Sequence, residues 1–106
     1  YVFDEVDTGV GGAVAEAIGR KLREVSRHHQ VVCVTHQPQI AAFGHHHLHV
    51  SKAVVDGRTH SRLNRLDEPA RIQELARMLG GRKVSDAARE AARVLLQEGS
   101  GSSPPR

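Results

Sequence analysis

The chain has 106 residues, room for one small domain at most. Hydrophobic residues make up 39% and charged residues 25%, which excludes a disordered chain, and no run approaches the roughly 20 apolar residues of a membrane helix. The formal charge is +3, with arginines set singly at Arg58, Arg62, Arg65, Arg71, Arg77 and Arg89, a pattern that permits an acidic partner without requiring one.

Aromatics are 3% and Trp is absent, so any core must be built from Val, Ile, Leu and Ala. Cys33 is the only cysteine and lies in the apolar run Val-Val-Cys-Val. It reads as a buried, inert thiol and agrees with a reducing compartment. No signal peptide opens the chain, and there is no initiator Met. The first residues are already strand-like, so the chain is expected to be a fragment of a longer protein.

Tyr1 to Phe3 is a short β-prone run that ends in Asp4 and Glu5. A flexible turn, Thr8 to Gly12, leads into a helical pattern. Val14, Ile18, Leu22 and Val25 share one face, with Arg20, Lys21, Arg23 and Glu24 largely away from it. The helix should stop near Arg27-His28-His29, where cations suit its C-terminal dipole. Val31 to Thr35 is a continuous apolar run that suits a strand buried on both faces, as in parallel sheets. Strand, helix and strand therefore read as one βαβ unit. Ile40 to Phe43 is a helical turn or two. Leu48–Val55 and Thr59–Leu66 flank Asp56-Gly57 and predict a β-hairpin. Ile72, Leu75, Ala76 and Leu79 form an amphipathic helix ended by Gly80-Gly81. Ser85 is the expected N-cap of a last helix bearing Ala88, Ala91, Ala92, Leu95 and Leu96 on one face. The domain is expected to span residues 1–97, and the Gly-, Ser- and Pro-rich residues 98–106 to be a disordered tail.

Chemistry gathers at the strand ends. In open α/β sheets ligands collect at the carboxyl ends of parallel strands. Those ends are Asp4-Glu5 and Thr35-His36, predicted to lie on one sheet edge. A carboxylate at Asp4 suits a hard cation such as Mg²⁺, held through water. Glu5, where the strand breaks up, suits a base that orients and deprotonates a water. His36 suits a hydrogen-bond donor to a phosphate oxygen. Each has a bland alternative: acids often end strands facing solvent, and most loop histidines have no task. The glycines after Asp7 match neither GxxxxGK[ST] nor GxGxxG, so they serve a tight turn rather than a phosphate loop. His45, His46, His47 and His49 lack the spacing of a zinc site and read as a solvated loop.

The string Val-Phe-Asp4-Glu5-Val-Asp7-Thr-Gly-Val-Gly-Gly resembles the Walker B motif and following D-loop of ABC-type ATPases, in the form found in the RecN family. Val34-Thr35-His36-Gln37-Pro38-Gln39-Ile40-Ala41 resembles the switch-histidine segment of the same family. Ala76-Arg77-Met78-Leu79-Gly80-Gly81 resembles a block late in its head, and the three together cover about residues 1–97. The resemblance implies an α/β fold, the C-terminal half of a P-loop NTPase head similar to those of the structural-maintenance-of-chromosomes proteins, with a long coiled coil. It implies ATP as substrate and Mg²⁺ as cofactor. Asp4 would help hold the Mg²⁺, Glu5 would be the general base, and His36 would contact the γ-phosphate. Asp7 would lie near the interface of a homodimer in which two heads sandwich ATP. It further implies a cytoplasmic, nucleoid-associated protein of DNA double-strand-break repair, with DNA as partner and no membrane.

The chain has no Walker A lysine motif, Q-loop, Leu-Ser-Gly-Gly signature or coiled coil. The isolated 106 residues are therefore expected neither to bind ATP tightly nor to hydrolyse it. Two other readings stand beside this one: a head fragment of another ABC- or SMC-type ATPase, and a non-catalytic α/β interaction module in which the acids and His36 are structural.

Overall fold

The computed structural model describes residues 1–4, 11–80 and 83–100. The expected βαβ unit is present. Strand β1 (Val2–Asp4) runs parallel to β2 (Val32–Val34), and helix α1 (Gly12–Val25) lies between them in sequence. A four-residue helix α2 (Pro38–Ala41) follows β2, starting two residues before the expected turn because Pro38 fits the first helical position. A hairpin of β3 (Leu48–Val55) and β4 (Arg58–Arg65) comes next, then α3 (Glu68–Gly80) and α4 (Asp86–Gly99). The architecture is thus α/β, with a parallel pair, an antiparallel hairpin and helices.

The hairpin turns on two residues. Asp56 and Gly57 both have positive φ, 53° and 76°, as a primed turn between antiparallel strands requires. Helix α3 begins four residues before Ile72, because the Asp67 carboxylate accepts the Ala70 amide at 3.0 Å and starts the helix earlier. Ser85 caps α4 as expected, its hydroxyl accepting the Ala88 amide at 3.0 Å. Glu98 and Gly99, read from sequence as the start of a tail, are the last residues of α4. Gly99 lets α4 finish against α2: a Cβ there would sit 2.4 Å from the Ala42 carbonyl oxygen.

The core sits between α3, α4 and the end of α2. Ala42, Leu75, Ala76, Ala92 and Leu96 are buried together, and Ile72, Met78, Ala88 and Leu95 pack around them. It is aliphatic, as the shortage of aromatics requires. A second contact joins α1 to α2 and the residues after it, where Gly19 meets the Phe43 ring.

Several expectations need correction. Val32 and Val34 are 48% and 51% exposed, not buried on both faces. Among the described residues, the face of this sheet that bears Val2, Val32 and Val34 has no layer covering it. Phe3 and Cys33, directly opposed, are half-buried on the other face, so Cys33 is not the fully buried thiol expected. Along α1, Val14 is 52% exposed, whereas Ala15 and Gly19 are buried, because α2 approaches the small-residue side of the helix. Among the described residues no helix is long and apolar enough to cross a membrane.

Candidate functional site

The register of the parallel pair positions the candidate site. Asp4 is opposite Val34, so both strands end at the same edge. Asp4 is exposed there, and Thr35 and His36 leave β2 at that edge. The Thr35 hydroxyl accepts the Gln37 amide at 3.0 Å, a short side-chain turn that bends the backbone at His36. Pro38 then opens α2. His36 is exposed at this bend, two residues past Val34. The fold therefore brings Asp4 and His36 to one edge, as their strand positions predicted. Glu5 and Asp7 lie outside the described residues.

The donor set at this edge can be tested against a metal. One exposed carboxylate, Asp4, is a hard oxygen donor of the kind Mg²⁺ takes while retaining much of its water. It fits an ion shared with a phosphate ligand. Among the described residues no group of three or more His, Cys, Asp or Glu side chains could hold a metal by itself.

Behind the bend the chain is held by two arginines whose roles the sequence pattern concealed. The Arg71 guanidinium, buried in α3, donates to the carbonyls of Ala41 (3.1 Å) and Gly44 and lies 3.5 Å from that of Ala42. Arg23, from α1, donates to the Phe43 carbonyl at 2.5 Å and to that of Ser100 at 2.9 Å. Both arginines thus bind carbonyls at and just beyond the end of α2, where Ala41 also accepts the Gly44 amide at 3.2 Å. Burial, and then the neighbouring Arg23 charge, lower the Arg71 pKa from its ordinary value, while Glu68 opposes the shift. Read one residue at a time, Arg71 was one of several scattered cations; only the three-dimensional fold shows it to be buried.

The histidine run divides. His45 and His46 are exposed, and His46 Nδ1 lies 2.6 Å from the Arg65 guanidinium. His47 is half-buried rather than solvated, with its Nδ1 out of contact with water and without a hydrogen-bond partner. Burial lowers its pKa below the usual 6.5, the Arg71 charge adds to this, and Glu74 works against it. His49 lies 3.9 Å from Glu74, whose carboxyl is held below its ordinary pKa mainly by its hydrogen bond from Arg77.

Comparison with known proteins adds an independent line. No family model matches the chain. Over 97 residues it is 58% identical to the DNA repair protein RecN of Xylella fastidiosa (strain Temecula1), a match covering 92% of this chain and 17% of that protein. It is 44% identical over 97 residues to RecN of Bacillus subtilis (strain 168), and 52% identical over 95 residues to RecN of Deinococcus radiodurans. The chain spans about 17% of the length of these curated relatives. Along about nine-tenths of its own length, the resemblance to the RecN family read from the Asp4-Glu5 and His36 segments is thereby shown.

Proposed function

We propose that this chain is the C-terminal part of an ATP-hydrolysing head, of the P-loop NTPase class, in a RecN-like protein of DNA repair. One observation carries the site: Asp4 stands opposite Val34 in parallel strands, so Asp4 and His36 share the carboxyl edge where such sheets bind ligands. The identity to proteins named for DNA repair supports the wider assignment.

In this reading Asp4 would help hold Mg²⁺, which when bound would supply charge neutralisation at the phosphates of ATP. Glu5 orients the attacking water and takes its proton. His36 donates a hydrogen bond to a γ-phosphate oxygen, and the Thr35–Gln37 turn fixes where its ring begins. Asp7 lies near the junction of two heads, which sandwich ATP between them. The rest of the head supplies the phosphate cradle, and a long antiparallel coiled coil completes the protein. Hydrolysis then governs head pairing and the organisation of DNA ends at the nucleoid, in the cytoplasm.

Glu5→Gln in the full-length protein tests the assignment. The amide keeps the size of the side chain and cannot accept the proton. Steady-state ATP turnover should fall by at least the 10²- to 10⁴-fold that general-base catalysis typically contributes, with ATP binding and head pairing kept or prolonged. Turnover at the wild-type rate would remove Glu5 from this role and favour a non-catalytic module.

A further inference from the structure

The chemistry above leaves the β3–β4 hairpin unused. It contains four basic residues, Lys52, Arg58, Arg62 and Arg65, against one acid, Asp56, and so carries the whole formal charge of +3. Elsewhere eleven cations balance eleven acids. Along the sequence these charges look scattered, and strand pairing divides them, Arg58 and Arg62 on one face and Lys52 and Arg65 on the other. Directly opposed residues share a face, and faces alternate along each strand. The register therefore sets Arg58, His60 and Arg62 side by side on one face, opposite Val55, Ala53 and Ser51. Every residue of β4 is exposed.

This face has the shape and chemistry for a polyanion. The small side chains of Ser51 and Ala53 leave a shallow hollow bordered by His60 and Arg62. None of the six residues is acidic. At the helical end of the hairpin, Glu74 lies 3.9 Å from His49 but is already paired with Arg77. The face also lacks the Trp and Tyr anchors common in binding to a protein partner. Leu63, Val50 and Val54 lie on the opposite face. From Arg58 to Arg62 the strand rises about 14 Å, at roughly 3.4 Å per residue. One strand of duplex DNA presents about four phosphates over that distance. Guanidinium groups suit phosphate oxygens because two parallel N–H donors meet two oxygens.

We propose that the Arg58–His60–Arg62 face of the hairpin docks on the phosphate backbone of duplex DNA, without reading its sequence. This rests on the DNA-repair reading given above. The test uses the full-length protein and a fluorescently labelled duplex of mixed sequence, with binding followed by anisotropy between 50 and 200 mM salt. Each lost phosphate contact should reduce the slope of log K against log salt by about 0.9. Arg58→Ala with Arg62→Ala should therefore lower the slope by about 2 and, near 0.1 M salt, weaken binding tenfold or more. Arg58→Lys with Arg62→Lys keeps both charges and should keep the slope. Lys52→Ala, on the opposite face, should change affinity less than twofold. A double alanine variant with wild-type affinity and slope overturns this surface and leaves the DNA-repair reading standing, as does loss of the slope in the lysine pair. Wild-type protein that fails to bind duplex DNA at 50 mM salt overturns both.

Discussion

Two glycines of α1 should respond to alanine in opposite directions. A Cβ built on Gly19 would lie 2.4 Å from Cδ2 of Phe43 and 3.0 Å from Cε2. That is about 1 Å or more inside ordinary carbon contact. Phe43 has little room to yield: it is 8% exposed, Arg20 sits over its ring at 5.9 Å, and Arg23 holds its carbonyl. Overpacking of this kind costs about 1–3 kcal/mol. Alanine gains about 0.8–1.0 kcal/mol over glycine within a helix. The clash should win, leaving Gly19→Ala destabilised by up to about 2 kcal/mol, or up to roughly 30-fold in a local opening equilibrium. At Gly12 the nearest atom to a new Cβ is Gln39 Nε2 at 3.9 Å, so the helix gain is not opposed. There the change should stabilise by a few tenths to about 1 kcal/mol. Hydrogen–deuterium exchange in the full-length protein reads both effects on the amides of α1 and of residues 40–43, under conditions where the rate reports the opening equilibrium. Gly19→Ala should speed exchange and Gly12→Ala slow it. Slower exchange in both would refute the packing of α1 against Phe43.

The arginine and histidine behind the site give further tests. Arg71→Met keeps length but removes the donors to the carbonyls of Ala41 and Gly44. Losing a charged, buried hydrogen-bond donor should cost on the order of 3 kcal/mol and raise exchange in residues 41–44 by more than tenfold, and an unchanged rate would show those bonds to be dispensable. His47 has a folded pKa lowered below 6.5, chiefly by burial. Between that lowered value and 6.5 the unfolded chain binds more protons. The stability linked to His47 is therefore fully present above 6.5 and is lost as pH falls through the folded value. NMR titration should place the His47 midpoint below 6.5, and a midpoint at or above 6.5 would contradict the burial of its ring.

What the sequence made legible is what short-range chemistry decides. Asp56-Gly57 marks its hairpin because a two-residue turn needs positive φ at both positions, which Asp tolerates and Gly favours. Ser85 marks the start of α4 because a hydroxyl one residue before a helix can accept an orphan amide. The sharing of one edge by Asp4 and His36 was also legible, since a strand–helix–strand order with apolar strands points to parallel pairing. Arg71 was not, because no local pattern separates a surface arginine from one whose fork reaches carbonyls about thirty residues away. On the hairpin, strand alternation alone puts Arg58, His60 and Arg62 on one face, and only the register shows that Val55, Ala53 and Ser51 lie opposite them.

The apolar run Val31 to Thr35 exposes the remaining gap between pattern and structure. Its composition suits burial on both faces, yet Val32 and Val34 stand about half exposed beside Val2 at 75%. The alternation is still orderly, with Phe3 and Cys33 turned to the half-buried side and the valines to the other. Hydrophobic burial contributes roughly 25 cal/mol per Å², so a face of this kind gains from any layer laid over it. Under the proposed head, the remainder of the head is that layer, and the exposed valines mark where it meets this chain. The same layer would fix β1 and β2 from both sides, and with them the edge from which Asp4 and His36 project. The burial of Val32 and Val34 and the placement of the candidate catalytic residues would then be one problem: a polar substitution at either valine should loosen the site without touching a residue that acts in it.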